Sequence, residues 1–237
     1  MDLAFMAESF VRLLGGIPLT LRLAFSAVTL GFLLAALLVV LMRQPIAPLA
    51  WISHAFVFVF RGTPLLVQVF LIYYGLGQFR PVLQEWGIWW LFRDPYYCAL
   101  IALTLNTAAY SAEIVRGGLQ SVPAGAVEAA RAFGMSGVTL YRRIIGPMAL
   151  RQALPAYTSE VILMVKATSL ASTITLMEIT GLAQKLISES FRAVEVFLCA
   201  GAIYLAINFT LTTLFGLIER WATPDLAIAR AEDGRPG

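Results

Sequence analysis

Five long apolar runs alternate with polar stretches along the chain, at positions 17–41, 51–76, 95–115, 156–177 and 196–221, each bounded by charge, proline or glycine. A bilayer core of about 30 Å takes about 20 apolar residues of helix, so each run is long enough to cross one. The pattern predicts an all-α membrane protein with five transmembrane helices. It forms a single membrane domain over 1–237, with its core at about 17–221 and one sizeable loop at about 117–155. Within the second run, Arg61-Gly62-Thr63-Pro64 interrupts the apolar pattern. Thr followed by Pro reads as a new helix start, with a hydroxyl to cap free N–H groups and then a ring that needs none. Two pieces are expected, one over 51–60 lying shallow or tilted and one over 64–75 running outward. A simple proline kink is the competing reading. A helix N-terminus opening within the membrane would offer unpaired N–H groups and a partial positive charge to a carboxylate.

Composition supports the membrane reading and orients it. With 59 % hydrophobic residues, 13 % charged residues and a mean hydropathy of +0.80, the chain has too little charge to cover a globular surface. The 117–155 loop holds Arg131, Arg142, Arg143 and Arg151 against Glu128, with Arg116 at its edge, so the positive-inside bias makes it cytoplasmic. An odd number of spans then puts the N-terminus outside and the C-terminus inside. The 77–94 loop balances Arg80 and Arg93 with Glu85 and Asp94 and carries Trp86, Trp89 and Trp90, rings suited to an external interfacial belt. In the last external loop Glu178, Glu189 and Glu195 outweigh Lys185 and Arg192, in agreement. Asp2 and Glu8 precede the first apolar run without a basic leader, so no cleavable signal peptide is expected and insertion begins with the first span. The 117–155 loop is polar, helix-prone and broken by glycines, yet both ends enter apolar helices. It must fold against the cytoplasmic face as a docking surface. Its basic excess follows from topology and calls for no nucleic acid.

An ionisable side chain inside a span calls for a cavity or a partner. Glu160 follows Pro155 by little more than a turn and precedes five apolar residues, on a face that continues through Met164, Ala167, Thr168 and Ala171. Either it lines a substrate cavity and receives a cationic amine or guanidinium, or it forms a structural ion pair with Lys166 or an arginine of another helix. Lys166, roughly 120° away around the helix, is a poor partner. Asn106, Tyr110 and Glu113 share one face of the third span, with Glu113 suited to an interfacial salt bridge to Arg116. Gln68 offers an amide either to substrate or to a neighbouring helix. His54 is the single histidine, which excludes a two-histidine zinc pair and a histidine-based triad. Lys166 and Lys185 are the only lysines and neither follows a glycine, so the chain has no phosphate-binding loop and any ATP hydrolysis must occur on another polypeptide. Cys98 and Cys199 fall singly in spans and read as small buried hydrophobes, with no metal or redox site.

With these residues laid out, the chain resembles the membrane permease subunits of polar amino acid uptake ABC transporters, in the histidine/lysine/arginine and octopine/nopaline branch. The resemblance covers about 20–221. It rests on Phe60-Arg61-Gly62-Thr63-Pro64-Leu65-Leu66-Val67-Gln68, the run 102–113, Ser121-Val122-Pro123, Glu128-Ala129-Ala130-Arg131-Ala132-Phe133-Gly134, Ile144-Ile145-Gly146-Pro147, and the stretches 153–164 and 166–170. It implies the type I importer permease fold, with 117–155 as the loop that couples to the ATPase through Glu128, Ala129, Ala130, Gly134, Ile144 and Pro147. The family pattern places leucine where Gly146 stands, so looser packing of the loop's second helix on the ATPase is expected. The implied partners are a second permease, the same chain or a sister, an ABC ATPase dimer holding ATP and magnesium, and a periplasmic solute-binding protein, all at a bacterial inner membrane. The implied cargo is a polar, cationic amino acid or an opine derived from one, translocated by alternating access. Thr63, Gln68, Asn106, Glu160 and Thr168 are the candidate substrate-binding residues, with Glu160 holding the cationic end. The alternative is an ion-coupled secondary transporter using Glu160 as its relay. That class usually carries an internal repeat, whereas the Thr63-Pro64 break has no counterpart in the second half.

Overall fold

The computed structural model describes residues 2–222, with side chains through residue 219; the segment 223–237, which carries the C-terminus expected inside, lies outside the described residues. Every regular element described is helical. The chain opens on a helix that the apolar pattern passes over, α1 (Leu3–Leu14), too short for a span and interrupted by Glu8 and Arg12. Asp2 caps it, its carboxylate accepting from the Ala4 and Phe5 amides at 3.1 and 3.2 Å. The same carboxylate takes the Arg192 guanidinium at 2.9 Å. That guanidinium and then the cap amides hold the Asp2 carboxyl below its ordinary value.

The first and third runs form unbroken helices, α2 (Ile17–Met42) and, later in the chain, α7 (Pro95–Gln120). The second run breaks as expected, into α3 (Ala47–Gly62) and α4 (Leu65–Phe70), the latter prolonged by a π-type turn over Leu71–Gly75; the two pieces meet at 107°. A residue before proline is pushed out of the α region, and Thr63 is extended at φ −115°, ψ 145°. Thr63 does not cap α4, contrary to the reading above. Its hydroxyl donates back to the Val59 carbonyl at 2.8 Å, and Pro64 itself stands at the cap. The tryptophan-bearing loop folds into two short helices, α5 (Arg80–Glu85) and α6 (Trp89–Arg93).

Beyond α7 come α8 (Ala124–Ala132) and α9 (Gly137–Leu140), a π-type turn over Tyr141–Ile145, and α10 (Gly146–Ala167), which tightens to a 3₁₀ stretch over Thr168–Ile174. Then follow α11 (Ile179–Ser190) and α12 (Ala193–Ala222). Two expectations are corrected here. The fourth span does not begin at 156, because α10 runs straight through Pro155. The ring removes one ladder donor, a loss that membrane helices tolerate, and the Ser159 hydroxyl bonds the Pro155 carbonyl at 3.1 Å. The stretch 178–190 is no open external loop but α11, bent by 46° from the preceding helix. Glu178, counted above among solvent charges, is fully buried at its cap. It accepts from the Gly181 amide at 2.9 Å and the Tyr204 hydroxyl at 2.6 Å. The charges left at that end, Glu189 and Glu195 against Lys185 and Arg192, are balanced. Among the described residues, α2, α7 and α12 are each long and apolar enough to cross a membrane, and there are up to five such spans if each of the two bent pairs counts as one.

The core is built around α7. Ala102, Leu103, Ala108, Ala109 and Ala112 are buried against Leu23, Ala27, Ala35, Leu38 and Val39 of α2. Small residues bring membrane helices close enough for dispersion to hold them where lipid offers no hydrophobic drive. A second cluster joins Leu13 of α1 to Ile179 and Ala183 of α11 and to Val196 and Cys199 of α12. Cys98 and Cys199 are both buried and unbridged, as the sequence suggested.

Candidate functional site

The 107° break strands the last carbonyls of α3, and two amides gather them. The Gln68 side-chain nitrogen lies 2.9 Å from the Phe60 carbonyl, 3.1 Å from the Thr63 carbonyl and 2.8 Å from the Thr63 hydroxyl. The Asn106 nitrogen donates to the Gln68 side-chain oxygen at 3.0 Å and to the Phe60 carbonyl at 3.3 Å. The rest of the Asn106 face follows suit. Arg61 stacks over the Tyr110 ring at 5.4 Å and lies 3.6 Å from Glu113, which Arg116 holds at 2.6 Å. The stripe Asn106–Tyr110–Glu113 therefore seats the broken span on α7. Thr63, Gln68 and Asn106 are brought together, and the amide donors of both side chains are spent on this internal network.

Glu160 sits elsewhere. It is 7 % exposed, and its Oε1 accepts from the Thr107 hydroxyl at 2.9 Å. Thr107 follows Asn106 in the chain but lies about 100° further around α7, so the carboxylate and the amide network occupy different sides of one helix. No lysine or arginine pairs with Glu160 among the described residues, which removes the ion-pair reading in this conformation. Its face continues through Met164, Thr168 and Ala171, all buried, and the Thr168 hydroxyl is turned onto the Val165 carbonyl at 2.7 Å. Among the described residues Thr168 shares no hydrogen bond with the other candidates. Thr107 escaped the sequence reading, although a buried carboxylate needs a donor and Thr104, Thr107 and Ser111 share a helical stripe.

The loop between α7 and α10 is a compact helical hairpin. The α8 helix ends in two reversed bonds, Gly134 N–H to the Arg131 carbonyl at 2.9 Å and Met135 N–H to the Ala130 carbonyl at 3.0 Å. This Schellman ending requires a left-handed residue, supplied by Gly134 at φ +80°. Glu128, Ala129, Gly134 and Pro147 are exposed and Ile144 is half-buried, whereas Ala130 turns inward and is buried. At the tip stand two apolar side chains that the sequence reading did not single out as candidates, Phe133 at 86 % and Val138 at 82 % exposure. Large apolar groups held out by a rigid turn are what an interface core is made of. Tyr141 accepts a bond from Arg43 at 2.9 Å, tying the hairpin to the end of α2. Gly146 N–H bonds the Tyr141 carbonyl five residues back, and a Cβ placed on it would lie 2.8 Å from that oxygen. A side chain at 146 would press on that oxygen, and glycine relieves the contact.

Among the described residues, no group of three or more potential metal ligands is found. Comparison with known proteins gives a consistent picture. The family model described as binding-protein-dependent transport system inner membrane component matches residues 27–224. The octopine transport system permease protein of Rhizobium radiobacter is 60 % identical over 224 residues, covering 93 % of this chain and 89 % of that protein. The nopaline transport system permease protein of Agrobacterium fabrum is 51 % identical over 226 residues, covering 95 % and 94 %. A crystal structure of an amino acid ABC transporter with histidines superposes with a TM-score of 0.82 at 34 % identity, covering 93 % of this chain and 98 % of that one.

Proposed function

The chain belongs to the inner membrane components of binding-protein-dependent transport systems, and on that premise we propose that it is the translocating subunit of an ATP-driven importer for opines or other arginine-like solutes. The observation that carries the substrate class is Glu160, a carboxylate buried in an apolar core with a hydroxyl for company and, among the described residues, no cation beside it. Burying a carboxylate unpaired is costly, and a guanidinium or ammonium arriving through the pore supplies the missing charge. In the conformation described, the Glu160 face is closed. Alternating access requires α7 and α10 to part there, and Thr107 then keeps the carboxylate oriented.

The hairpin between α7 and α10 is the ATPase seat. Glu128, Ala129, Gly134 and Pro147 offer its polar and backbone surface, and Phe133 and Val138 its apolar tip. ATP and magnesium belong to that partner. A second permease and an external solute-binding protein complete the assembly in the inner membrane, with α1 outside and the hairpin in the cytoplasm. The arginines of the hairpin, in excess over Glu128, support this orientation. The test is reconstitution of the chain with its ATPase and binding protein in sealed vesicles. Uptake of octopine or arginine is expected to require ATP and to survive a proton ionophore. Uptake without the ATPase, abolished by the ionophore, would replace this reading with the ion-coupled transporter.

A further inference from the structure

Between α2, α7 and α10 lies a cavity of about 350 Å³, walled by Phe32, Val115, Leu119, Leu150, Leu154 and Tyr157 among others. Its lining is almost wholly hydrocarbon, and Leu150, 63 % exposed, leaves it open at the side. Arg43 lies eleven residues after Phe32 on α2, about three turns and about 16 Å along the same face. Gly146 lines the end of the slot, and Arg143 lies three residues before it, in the π-type turn that leads into α10. Arg142 and Arg143 line a second hollow with Val138 and Thr139. Both are exposed, and among the described residues neither makes a hydrogen bond or ion pair. The hydrocarbon slot thus reaches Gly146, within four residues of unneutralised guanidiniums, at the end of the helices that the arginine distribution assigns to the cytoplasm.

We propose that this groove is a binding site for an anionic phospholipid, one acyl chain lying against Phe32 and Leu150 and the phosphate held by Arg142 and Arg143, with Arg43 beside them. Apolar contact alone does not select one lipid over another, because the surrounding tails are equally apolar. The headgroup selects. Planar guanidiniums match phosphate oxygens in pairs, and basic groups at the cytoplasmic ends of membrane helices draw anionic headgroups from the leaflet. A protein occupant would have to bring carboxylates of its own to bury these arginines, whereas the bilayer supplies both the chain and the charge in one molecule. Filling the slot also restores the dispersion contacts that an open groove forfeits.

The assembled permease–ATPase complex, placed in nanodiscs of equal parts phosphatidylcholine and phosphatidylglycerol, gives the test by native mass spectrometry of retained lipid. The wild type is expected to retain phosphatidylglycerol in preference. Arg142→Gln with Arg143→Gln should lower that retention about fivefold or more, and the paired lysine replacements, which keep the charge but not the planar fork, should lower it less. Leu150→Trp, which narrows the slot, should lower retention with the arginines intact. Excess glycerol 3-phosphate, a headgroup without chains, should displace nothing. Equal retention of both lipids by the wild type, or undiminished phosphatidylglycerol in the glutamine variant, would overturn the proposal. So would displacement by glycerol phosphate, or a cross-link from a cysteine at position 150 to a second permease or to the ATPase.

Discussion

Replacing Glu160 by glutamine separates a substrate carboxylate from a structural one. The side chain keeps its shape, and the amide oxygen can still accept the Thr107 hydroxyl bond, 2.9 Å long with the carboxylate. Only the charge is lost. Because no protein cation pairs with Glu160 among the described residues, folding loses nothing that depends on that charge, and removing an unpaired ion from a site 7 % exposed favours the folded state if anything. A charge-assisted bond to a guanidinium contributes about 1.5–3 kcal/mol, so affinity for an arginine-like solute should fall roughly 10- to 150-fold. Membrane abundance, co-purified ATPase and ATP-driven uptake are measured on the same preparation of Glu160→Gln. The expected result is normal abundance, normal ATPase association and a raised half-saturation for cationic cargo. Had the carboxylate been half of a buried ion pair, its loss would cost about 3–5 kcal/mol and abundance itself would drop. Unimpaired uptake of a cationic solute at normal abundance refutes the substrate role. Loss of abundance without a change in half-saturation refutes the folding argument.

Gly134→Val puts a β-branched residue at φ +80°, a cost of about 1–2 kcal/mol or more; the hairpin should deform, and ATPase co-purification should fall while all spans remain inserted. In intact cells, a membrane-impermeant thiol reagent should label a cysteine placed at Gln84 and spare one placed at Gly137, and the reverse pattern would invert the topology and remove the ATPase seat with it. Asn106→Leu withdraws the donor shared by Gln68 and the Phe60 carbonyl, so the thermal midpoint of the purified complex should fall by the equivalent of about 1–3 kcal/mol; an unchanged midpoint would show that the break holds without it. The Asp2 carboxyl is held below its ordinary 3.8 chiefly by Arg192, so its contribution to docking α1 is complete above 3.8 and is lost as pH falls through the depressed value. Hydrogen exchange of the α1 amides should therefore quicken only below pH 3.8, and Asp2→Asn should remove that step.

Much of the fold was legible in the chain because its cause is local. A span announces itself by about 20 apolar residues, and α2, α7 and α12 lie within a few residues of the runs at 17–41, 95–115 and 196–221. The break at Thr63-Pro64 was legible for the same reason, since the proline ring constrains the residue before it whatever surrounds them. The stripe Asn106–Tyr110–Glu113 followed from helical period alone. What stayed hidden was the choice of partner. Whether Pro155 begins a helix or lies inside one depends on the packing around α10, and the proline does not carry that information. Glu178 looked like one more external charge until the Tyr204 hydroxyl and the Gly181 amide closed around it. Gln68 and Asn106 were visible as polar groups in a membrane. That they spend their donors on the α3 carbonyls, while Glu160 turns to Thr107, depended on which faces of α3, α7 and α10 came together. Hydrophobic pattern decides which segments leave water, but a buried polar group must bond whatever neighbour the packed helices bring to it.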